Sequence, residues 1–405
     1  MKRLVIIASH PIQYYAPWFR YLHQQTELQI EVLYLWNPRG GNHFDQDFNQ
    51  TVEWDVDLLS GYPHRFIENI SPKPGTHYWY GLNNPTLFST VVSLRPTAVL
   101  MTTLFNYSAT QFLSRWSFGR FSRAPIFFRG DSHLLSPNAK YFKENIKYFL
   151  KCQIFKQFDA ILPVGTANEN YYLNHGAKKN CLFPSPHAID AIRFMEAKPQ
   201  AEVHARNWRN KLGISENAFV FLFVGKLINK KRPDLLLSAF LNVHSKLSEK
   251  QKADCHLVLC GTGELEAEMR RLANHHSAIH FLGFANQQSM PAVYCLGTML
   301  VLPSEGNSET WGLCVNEAMT MNRPALVSTH VGCQQDLVEH RVTGLVFPAG
   351  DQQALEVQMM YALSNKEIVN QLASASGKRI SKFTYKQATA GLLNALKFVK
   401  ASKVE

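Results

Sequence analysis

The 405-residue sequence lacks any apolar run that approaches the roughly 18 residues of a membrane-spanning helix. Its start does not have the pattern of a secretory signal peptide, because the apolar run after Arg3 is short and a His-Pro turn follows it. Low-complexity tracts and short-period repeats are absent too. We therefore expect neither an integral membrane protein nor a repeat array.

Paired cysteine spacing is also absent. The seven cysteines, at positions 152, 181, 255, 260, 295, 314 and 333, are odd in number and scattered. This pattern argues against a disulfide framework and for a reducing compartment, so we expect a cytoplasmic protein. Zinc-ligand spacing is missing as well, since His275, His276 and His280 lie close together without partners of the right type.

The composition is typical of a soluble protein, and positively charged residues are in excess. Hydrophobic residues make up 46% and charged residues 18%, and a chain of this length should form two or three domains. The net charge is +11. Nucleic acid, an anionic membrane surface or a polyphosphate substrate would each fit that charge, which alone does not choose among them.

Apolar segments alternate with helical segments in both halves of the chain. Because these segments are continuously apolar, they predict parallel strands buried on both faces, and their alternation with helices predicts two doubly wound α/β domains. The predicted strands are 4–9, 28–36, 98–103, 125–130, 160–165 and 180–185 in the first half, and 219–224, 256–260, 279–283, 299–304, 325–329 and 344–347 in the second.

The predicted domain boundary lies near residue 195. The segment 197–213 is polar and contains Pro199, so we interpret it as a linker with a short helix. Residues 1–195 then form an N-terminal domain and residues 196–380 a C-terminal one. The last predicted helix, within residues 381–405, could return to the first domain.

Two glutamates flank the start of the helix predicted after the strand 299–304. Glu309 lies in the preceding loop, and Glu317 lies just over one turn inside the helix. Backbone N–H groups and two carboxylates at the end of a strand suit an anionic ligand with hydroxyls, such as a nucleotide-sugar. Two glutamates beside a helix are also common as plain surface charge, so other motifs must decide.

Two glycine-containing loops follow strands in the same half. After 219–224 comes Gly225, which permits a tight turn, and then Lys226, Lys230 and Lys231, cations that could hold a diphosphate without a metal, although lysine-rich loops are also ordinary surface. After 256–260 comes Gly-Thr-Gly, which lacks the third glycine of a dinucleotide fingerprint and so disfavours an oxidoreductase. Ligands bind at the carboxyl ends of strands in such sheets, so we expect a site in the cleft between the domains.

Taken in this order and spacing, the motifs resemble the retaining glycosyltransferases of family 4, whose GT-B architecture has two Rossmann-like domains facing across a cleft. The match consists of Val-Gly-Lys-Leu from 224, Cys-Gly-Thr-Gly-Glu from 260, Phe-Leu-Gly-Phe from 281, Leu-Pro-Ser from 302 and the glutamate pair. It covers nearly all of the second domain and is looser in the first. The resemblance implies transfer of a sugar, with retention, from a nucleoside-diphosphate sugar to an acceptor hydroxyl, in cell-surface polysaccharide or glycolipid synthesis.

The resemblance also implies roles for matching residues. Lys226, where the family usually has Arg, would contact the donor diphosphate together with Lys231. Glu309 would bind a hydroxyl of the donor sugar, and Glu317 would bind the ribose. The other implied donor contacts are Gly225, Phe284, Ala285, Trp311, Gly312 and Leu313. The nucleotide-sugar is a substrate, so no cofactor is expected.

In the first domain, Asp131 and His133 follow a strand where the family often has a His-Asp pair that reaches the sugar. Their order is changed, so either residue could take this catalytic position. The loop with His10 and Gln13 replaces the usual glycine-rich turn and could face the acceptor. Both histidines could equally be loop residues with structural partners only.

Two acidic pairs, Asp45 with Asp47 and Asp55 with Asp57, look like the metal motif of a different glycosyltransferase fold. Because both pairs lie in one irregular region, we interpret them as surface or acceptor-loop carboxylates and expect no catalytic metal.

The predicted helix 139–158 carries four lysines on one stripe with aromatic residues around it, and the segment 115–123 is also basic and aromatic. This region could dock on an anionic inner membrane leaflet near lipid-linked acceptors. The stripe could equally be a solvated face above core aromatics.

Two other functions stay open from the sequence. A GT-B sugar phosphorylase or nucleotide-sugar epimerase would keep the fold, although the glutamate spacing and the lack of a cofactor-lysine motif argue against the phosphorylase. A polyanion-binding protein would use the positive charge, but we recognise no nucleic-acid motif and expect no nucleic-acid partner.

Overall fold

The computed structural model contains two six-stranded parallel sheets, one in each half of the chain. It describes residues 2–38, 44–45, 50–51, 53–118, 124–136 and 142–401. The strands are β1 Lys2–Ala8, β2 Leu28–Tyr34, β3 Phe44–Asp45, β4 Gln50–Thr51, β5 His64–Phe66, β6 Ala98–Met101, β7 Ile126–Phe128, β8 Ala160–Ile161, β9 Phe219–Val224, β10 Cys255–Cys260, β11 Ile279–Gly283, β12 Met299–Leu302, β13 Ala325–Ser328 and β14 Gly344–Phe347.

Helices connect the strands and cover the faces of the sheets. They are α1 Ala16–Gln25, α2 Leu87–Ser93, α3 Tyr107–Phe118, α4 Phe142–Phe155, α5 Thr166–Asn174, α6 Ala191–Lys211, α7 Pro233–Ser245, α8 Glu249–Ala253, α9 Glu266–Ala273, α10 Met290–Leu296, α11 Leu313–Thr320, α12 Gln334–Leu337, α13 Gln352–Ser364, α14 Lys366–Ile380 and α15 Tyr385–Ala401. Within the described residues, none of them combines the length and apolarity that crossing a membrane requires.

Both sheets are doubly wound, as predicted. The first has the strand order β5-β2-β1-β6-β7-β8, and the second has β11-β10-β9-β12-β13-β14. In each sheet the order reverses beside its central strand, β1 or β9, and ligand crevices form at the carboxyl ends of strands on either side of such a point.

Continuous apolar sequence explains why the central strands form. All six residues of β9 and all six of β10 are buried, as expected for strands that are covered by helices on both faces. Each fully buried Leu or Phe side chain contributes roughly 1.5–3 kcal/mol of transfer free energy, so these strands fix the core of the second half.

The structure differs from the sequence predictions in several places, and the short pair β3–β4 is among the strands that were not predicted. The predicted strand 180–185 is a 3-10 turn, Lys179–Cys181, followed by an isolated bridge between Ile161 and Leu182. The edge strand β5 was not predicted, because its three residues are polar in part and only half-buried or exposed. The predicted linker around Pro199 is the middle of the continuous helix α6.

Residues 119–123 and 137–141 of the predicted basic and aromatic region lie outside the described residues. Docking of that region on a membrane therefore stays a prediction.

Helices α6 and α15 tie the two halves together. The boundary predicted near residue 195 lies within α6, whose Phe194 packs into the core of the second half. Leu392 and Leu396 of α15 pack into the core of the first half, and Trp18 Nε1 donates a hydrogen bond to Thr389 Oγ1 at 3.1 Å. The last helix therefore contacts the first sheet.

Candidate active site

A cavity of about 410 Å³ lies between the two halves, where loops that follow several strands meet. Twelve of the predicted site residues line it: Gln13, Asp131, Gly225, Lys226, Lys231, Phe284, Ala285, Glu309, Trp311, Gly312, Leu313 and Glu317. The predicted residues His10 and His133 are not among its lining residues. The roles of the twelve stay predictions, but the structure brings their side chains or backbone to one place.

A largely buried ion pair lines this cavity. Lys231 Nζ donates to Glu309 Oε2 at 2.5 Å, and Ser304 Oγ donates to the same oxygen at 3.0 Å. The two charged side chains are 15% and 12% exposed. Burial alone would lower the pKa of Lys231, but the adjacent Glu309 carboxylate outweighs it and the pKa is raised. The lysine is therefore a fixed positive charge beside the cavity.

Glycines allow the loops after β9 and β10 to approach the cavity closely. Gly225 has a φ of 150°, and a Cβ there would come within 3.1 Å of the Lys231 side chain. Gly261 has a φ of 139°, and its Cβ would overlap the Gly225 carbonyl oxygen. The Gly-Thr-Gly sequence after β10 therefore serves close packing of the two loops.

Helix α11 begins at the edge of the cavity. Gly312, with a left-handed φ of 91°, precedes its first residue, Leu313. The Trp311 side chain is buried and held in place, because its Nε1 donates to Asn316 Oδ1 at 2.8 Å. The backbone of residues 311–313 thus lines the cavity at the positive end of the helix, a position that favours an anion.

Glu317 is a buried carboxylate that two tyrosines hold. Tyr294 donates to its Oε2 at 2.5 Å, and Tyr14, from the first half, donates to its Oε1 at 3.3 Å. Burial raises the pKa of Glu317 to about 7, while the hydrogen bonds of the two tyrosines and the charge of Arg193 lower it. The carboxyl group therefore changes charge near neutral pH.

Asp131 and His133 take different positions. Asp131 lines the cavity, and its Oδ2 accepts a hydrogen bond from Thr310 Oγ1 at 2.7 Å. His187 Nε2 lies 3.8 Å from the same oxygen. Burial would raise the pKa of Asp131, but the influence of His187 and Thr310 outweighs it and the pKa is lowered. Asp131 is therefore an ionised acceptor at the cavity.

His133 links the two halves instead. Its Nε2 lies 2.9 Å from the Glu309 carbonyl oxygen, and the Leu135 N–H donates to its Nδ1 at 3.2 Å. Nε2 then carries the hydrogen and donates to Glu309. The histidine thereby positions the loop that carries this carboxylate.

The loop after β1 contributes one predicted residue and one that was not assigned a role. Gln13 and Tyr14 line the cavity, whereas His10 packs its ring against Trp36 with a centroid distance of 5.3 Å. Tyr14 could not be singled out before the structure was known, because its partner Glu317 lies 303 positions away along the chain.

Other residues in the cavity were also missed. Trp54 lines it, and its ring centroid lies 6.4 Å from that of Phe284 in the other half. Thr310 and Cys314 line it beside the predicted residues. An aromatic residue before an acidic pair was the only available signal for Trp54.

The carboxylates of the second acidic pair, Asp55 and Asp57, accept hydrogen bonds from backbone N–H groups. Asp55 accepts hydrogen bonds from the Gln288 N–H at 3.1 and 3.2 Å. Asp57 accepts from the N–H groups of residues 59 and 60 at the start of a turn. Asp47 and the side chain of Asp45 lie outside the described residues. Among the residues that are described, no group of three or more His, Cys, Asp or Glu side chains could hold a metal ion.

Comparison with known proteins shows which family this chain resembles. Residues 204–379 match the family described as glycosyl transferases group 1. The O-antigen chain mannosyltransferase C of Escherichia coli is 30% identical over 176 residues, which is 43% of this chain and 43% of that protein. The D-rhamnosyltransferase WbpZ of Pseudomonas aeruginosa is 28% identical over 158 residues, 38% of each chain. The chain thus spans less than half the length of these two curated relatives.

Solved structures extend the likeness to the whole chain. The Anabaena protein Alr3699/HepE in complex with UDP has a TM-score of 0.70 and 16% identity, covering 98% of this chain and 100% of that one. Sucrose-phosphate synthase from Thermosynechococcus elongatus has a TM-score of 0.68 and 15% identity, covering 99% and 100%. The chain therefore has the two-domain α/β fold of the GT-B glycosyltransferases, and its residues 204–379 are similar to the glycosyl transferases group 1 family.

Proposed function

We propose that the chain is a retaining, metal-independent glycosyltransferase that moves a sugar from a nucleoside-diphosphate sugar to an acceptor hydroxyl. The observation that carries the proposal is the single cavity that joins Lys226, Lys231, the start of α11, Glu309 and Glu317. Cations and a helix N-terminus match the diphosphate, and carboxylates match hydroxyls of the sugar and the ribose.

Each group has a distinct task in this proposal. Lys226, Lys231 and the backbone of residues 311–313 bind the diphosphate. Because Lys231 and Ser304 both hold Oε2 of Glu309, we assign its Oε1 to a hydroxyl of the donor sugar. Asp131 accepts a second hydroxyl from the side of the first half.

The reaction breaks the bond between the anomeric carbon and the diphosphate oxygen and forms a bond to the acceptor oxygen on the same face. The acceptor proton passes to an oxygen of the departing phosphate. Negative charge grows on the leaving diphosphate, and the fixed cations beside it stabilise that charge most in the transition state. The hydrogen bond from Thr310 to Asp131 joins the halves beside the cavity, and we infer that closing the halves over the donor excludes water that would hydrolyse it.

The proposed donor and acceptor classes follow from the relatives. The Anabaena protein was solved with UDP-glucose, and a Corynebacterium glutamicum relative is named a GDP-mannose-dependent mannosyltransferase. Relatives are named for O-antigen and rhamnose transfer. We therefore infer a role in cell-surface polysaccharide or glycolipid synthesis and treat UDP-, GDP- and ADP-sugars as the donors to test.

The test is turnover of the purified protein with that panel and an extract of lipid-linked and oligosaccharide acceptors. We expect release of one nucleoside diphosphate, unchanged by EDTA, and a product whose anomeric configuration, read by NMR coupling constants, equals that of the donor. Glu309→Gln should lose turnover, whereas Lys250→Ala on exposed α8 should not. Inversion, a metal requirement or full turnover by Glu309→Gln would each contradict the corresponding part of the proposal.

A further inference from the structure

The cavity between the halves has two ends that differ in chemistry. Lys231 and Glu309 line one end with charged side chains. Phe284 and Ala285, which follow β11, line the other end with apolar side chains, and Trp54 of the first half lies beside them. A ligand that fills the cavity therefore needs a polar part and an apolar part.

The strand order separates these two ends. Phe284 directly follows β11, whereas Glu309 lies in the loop after β12, and the order β11-β10-β9-β12 puts three strand spacings between the two strands. Because neighbouring strands are about 4.8 Å apart, the ends of β11 and β12 are roughly 14 Å apart. That distance suits a long ligand whose two ends differ, as the base and the sugar of a nucleoside-diphosphate sugar do.

Hydrogen bonds on both sides of Trp54 connect its backbone to the second half. The Asn286 side chain donates from Nδ2 to the Glu53 carbonyl oxygen at 2.6 Å. The Gln288 N–H donates to the two carboxylate oxygens of Asp55 at 3.1 and 3.2 Å, and its Nε2 donates to the Asp55 carbonyl oxygen at 2.6 Å. The position of Trp54 is therefore fixed relative to the loop that follows β11.

The Trp54 side chain is only partly buried, although the chain around it is fixed. It packs against the core of the first half and also lines the cavity. Its ring centroid lies 6.4 Å from that of Phe284, and the two ring planes are inclined by 49°. The rings are thus tilted rather than stacked on each other, so a planar group at this end of the cavity would meet aromatic surface from both halves.

We propose that Trp54 stacks on the base of the donor nucleotide and forms, together with Phe284, an aromatic clamp that both halves supply. A nucleobase is planar and aromatic, and every base has a face on which a tryptophan ring can stack. The inference rests on the proposed function, because it concerns the base of the nucleoside diphosphate assigned to the same cavity. It adds a contact from the first half to a part of the ligand that the sequence assigned to the second half alone.

The clamp also connects base binding to the arrangement of the halves. Trp54 and Phe284 belong to different halves, so both rings reach one base only when the halves are together. A base that contacts both rings binds this closed arrangement more tightly than an open one and therefore shifts the protein toward it.

The test is calorimetric titration of two ligands into the full chain. The first is whichever of UDP, GDP and ADP binds the wild type, and the second is methyl ribofuranoside 5-diphosphate, which keeps the ribose and the diphosphate but lacks the base. Trp54→Ala should bind the nucleoside diphosphate about tenfold more weakly than the wild type does, and should bind the base-free ligand equally well. Trp54→Phe keeps an aromatic ring and should stay within about threefold of the wild type for both ligands.

The matched control is Trp79→Ala. Trp79 is a 44% exposed tryptophan of the first half that is not among the lining residues of the cavity, so this variant should bind both ligands like the wild type.

The outcomes separate the clamp from the proposed function. Equal affinity of Trp54→Ala and the wild type for the nucleoside diphosphate would overturn the clamp and leave the proposed function intact. An equal loss for both ligands would also overturn the clamp, because it would show that Trp54 only shapes the cavity. If none of the three nucleotides bound the wild type, the proposed function would fail and the clamp with it.

Discussion

The ion pair between Lys231 and Glu309 gives the most specific prediction about the cavity. Both side chains are nearly buried and their charged atoms lie 2.5 Å apart, so each neutralises the other in a region of low dielectric. We consider the single variants Lys231→Met and Glu309→Gln and the double variant that combines them. These changes keep the shape of the side chains while removing charge.

The expected magnitudes follow from burial. Each single variant leaves one charge buried without its partner, which should lower the free energy of unfolding by about 3 kcal/mol. The double variant leaves neither charge, so its loss should be smaller than either single loss, and smaller than their sum by at least about 3 kcal/mol. All three variants should lose transfer, because a contact to the diphosphate, to the sugar or to both is gone.

The assay is urea unfolding followed by tryptophan fluorescence, with turnover measured on the same preparations. Lys250→Ala, a charge change on the exposed surface of the same half, provides the control and should change the free energy of unfolding by less than about 0.5 kcal/mol. Strictly additive losses in the double variant would refute the pairing argument. Wild-type turnover by Lys231→Met would refute the assignment of this lysine to the diphosphate.

Three further predictions concern other parts of the site. Burial raises the pKa of Glu317 to about 7, so if its carboxylate binds the ribose hydroxyls as proposed, nucleoside diphosphate affinity should be about tenfold weaker at pH 6 than at pH 8. Calorimetry checks this, and Glu317→Gln should show no such pH dependence. In the proposed complex, a ribose hydroxyl replaces the Tyr14 hydroxyl as hydrogen-bond donor to Glu317. Tyr14→Phe removes the bond that the ribose must break, so it should tighten nucleotide binding roughly threefold. Weaker binding by this variant would contradict the replacement. Gly261→Ala should lower the free energy of unfolding in urea by about 2 kcal/mol, which is more than the loss for Gly283→Ala. Both glycines have a positive φ, but only a Cβ at residue 261 would overlap Gly225. Equal losses would show that the structure relieves the overlap.

The second sheet could be predicted closely because its strands are mostly apolar. The predicted bounds of β9 coincide with the observed ones, since its continuous burial leaves a continuous apolar run. Strand β5 could not be found in this way, because it is a short edge strand with an exposed Arg65. Pairing with β2 rather than its own composition makes it a strand.

Helix α6 shows where local signals mislead. Pro199 and the polar residues around it predicted a linker, because proline removes a helix hydrogen bond. In the structure, Phe194, Ala201 and Ala205 bury one face of α6 in the core of the second half. This packing outweighs the local cost of the proline.

Some features of the site could likewise be predicted from the sequence, whereas others could not. Lys231 and Glu309 lie in the loops after β9 and β12, and Glu317 lies near the start of the helix after β12, so the topology alone places them at one edge of a sheet. The contacts of Tyr14 with Glu317 and of His133 with the Glu309 carbonyl join residues 303 and 176 positions apart. These depend on how the halves face each other, which sequence spacing does not encode.

The most direct test of the nucleotide-sugar site is calorimetric titration of UDP, GDP and ADP into the wild-type protein and into Lys231→Met. We predict that one of the three nucleotides binds the wild type and that the variant binds it at least about tenfold more weakly, because a charge-assisted contact worth about 1.5–3 kcal/mol is lost. Failure of all three nucleotides to bind, or equal affinity for wild type and variant, would contradict the site.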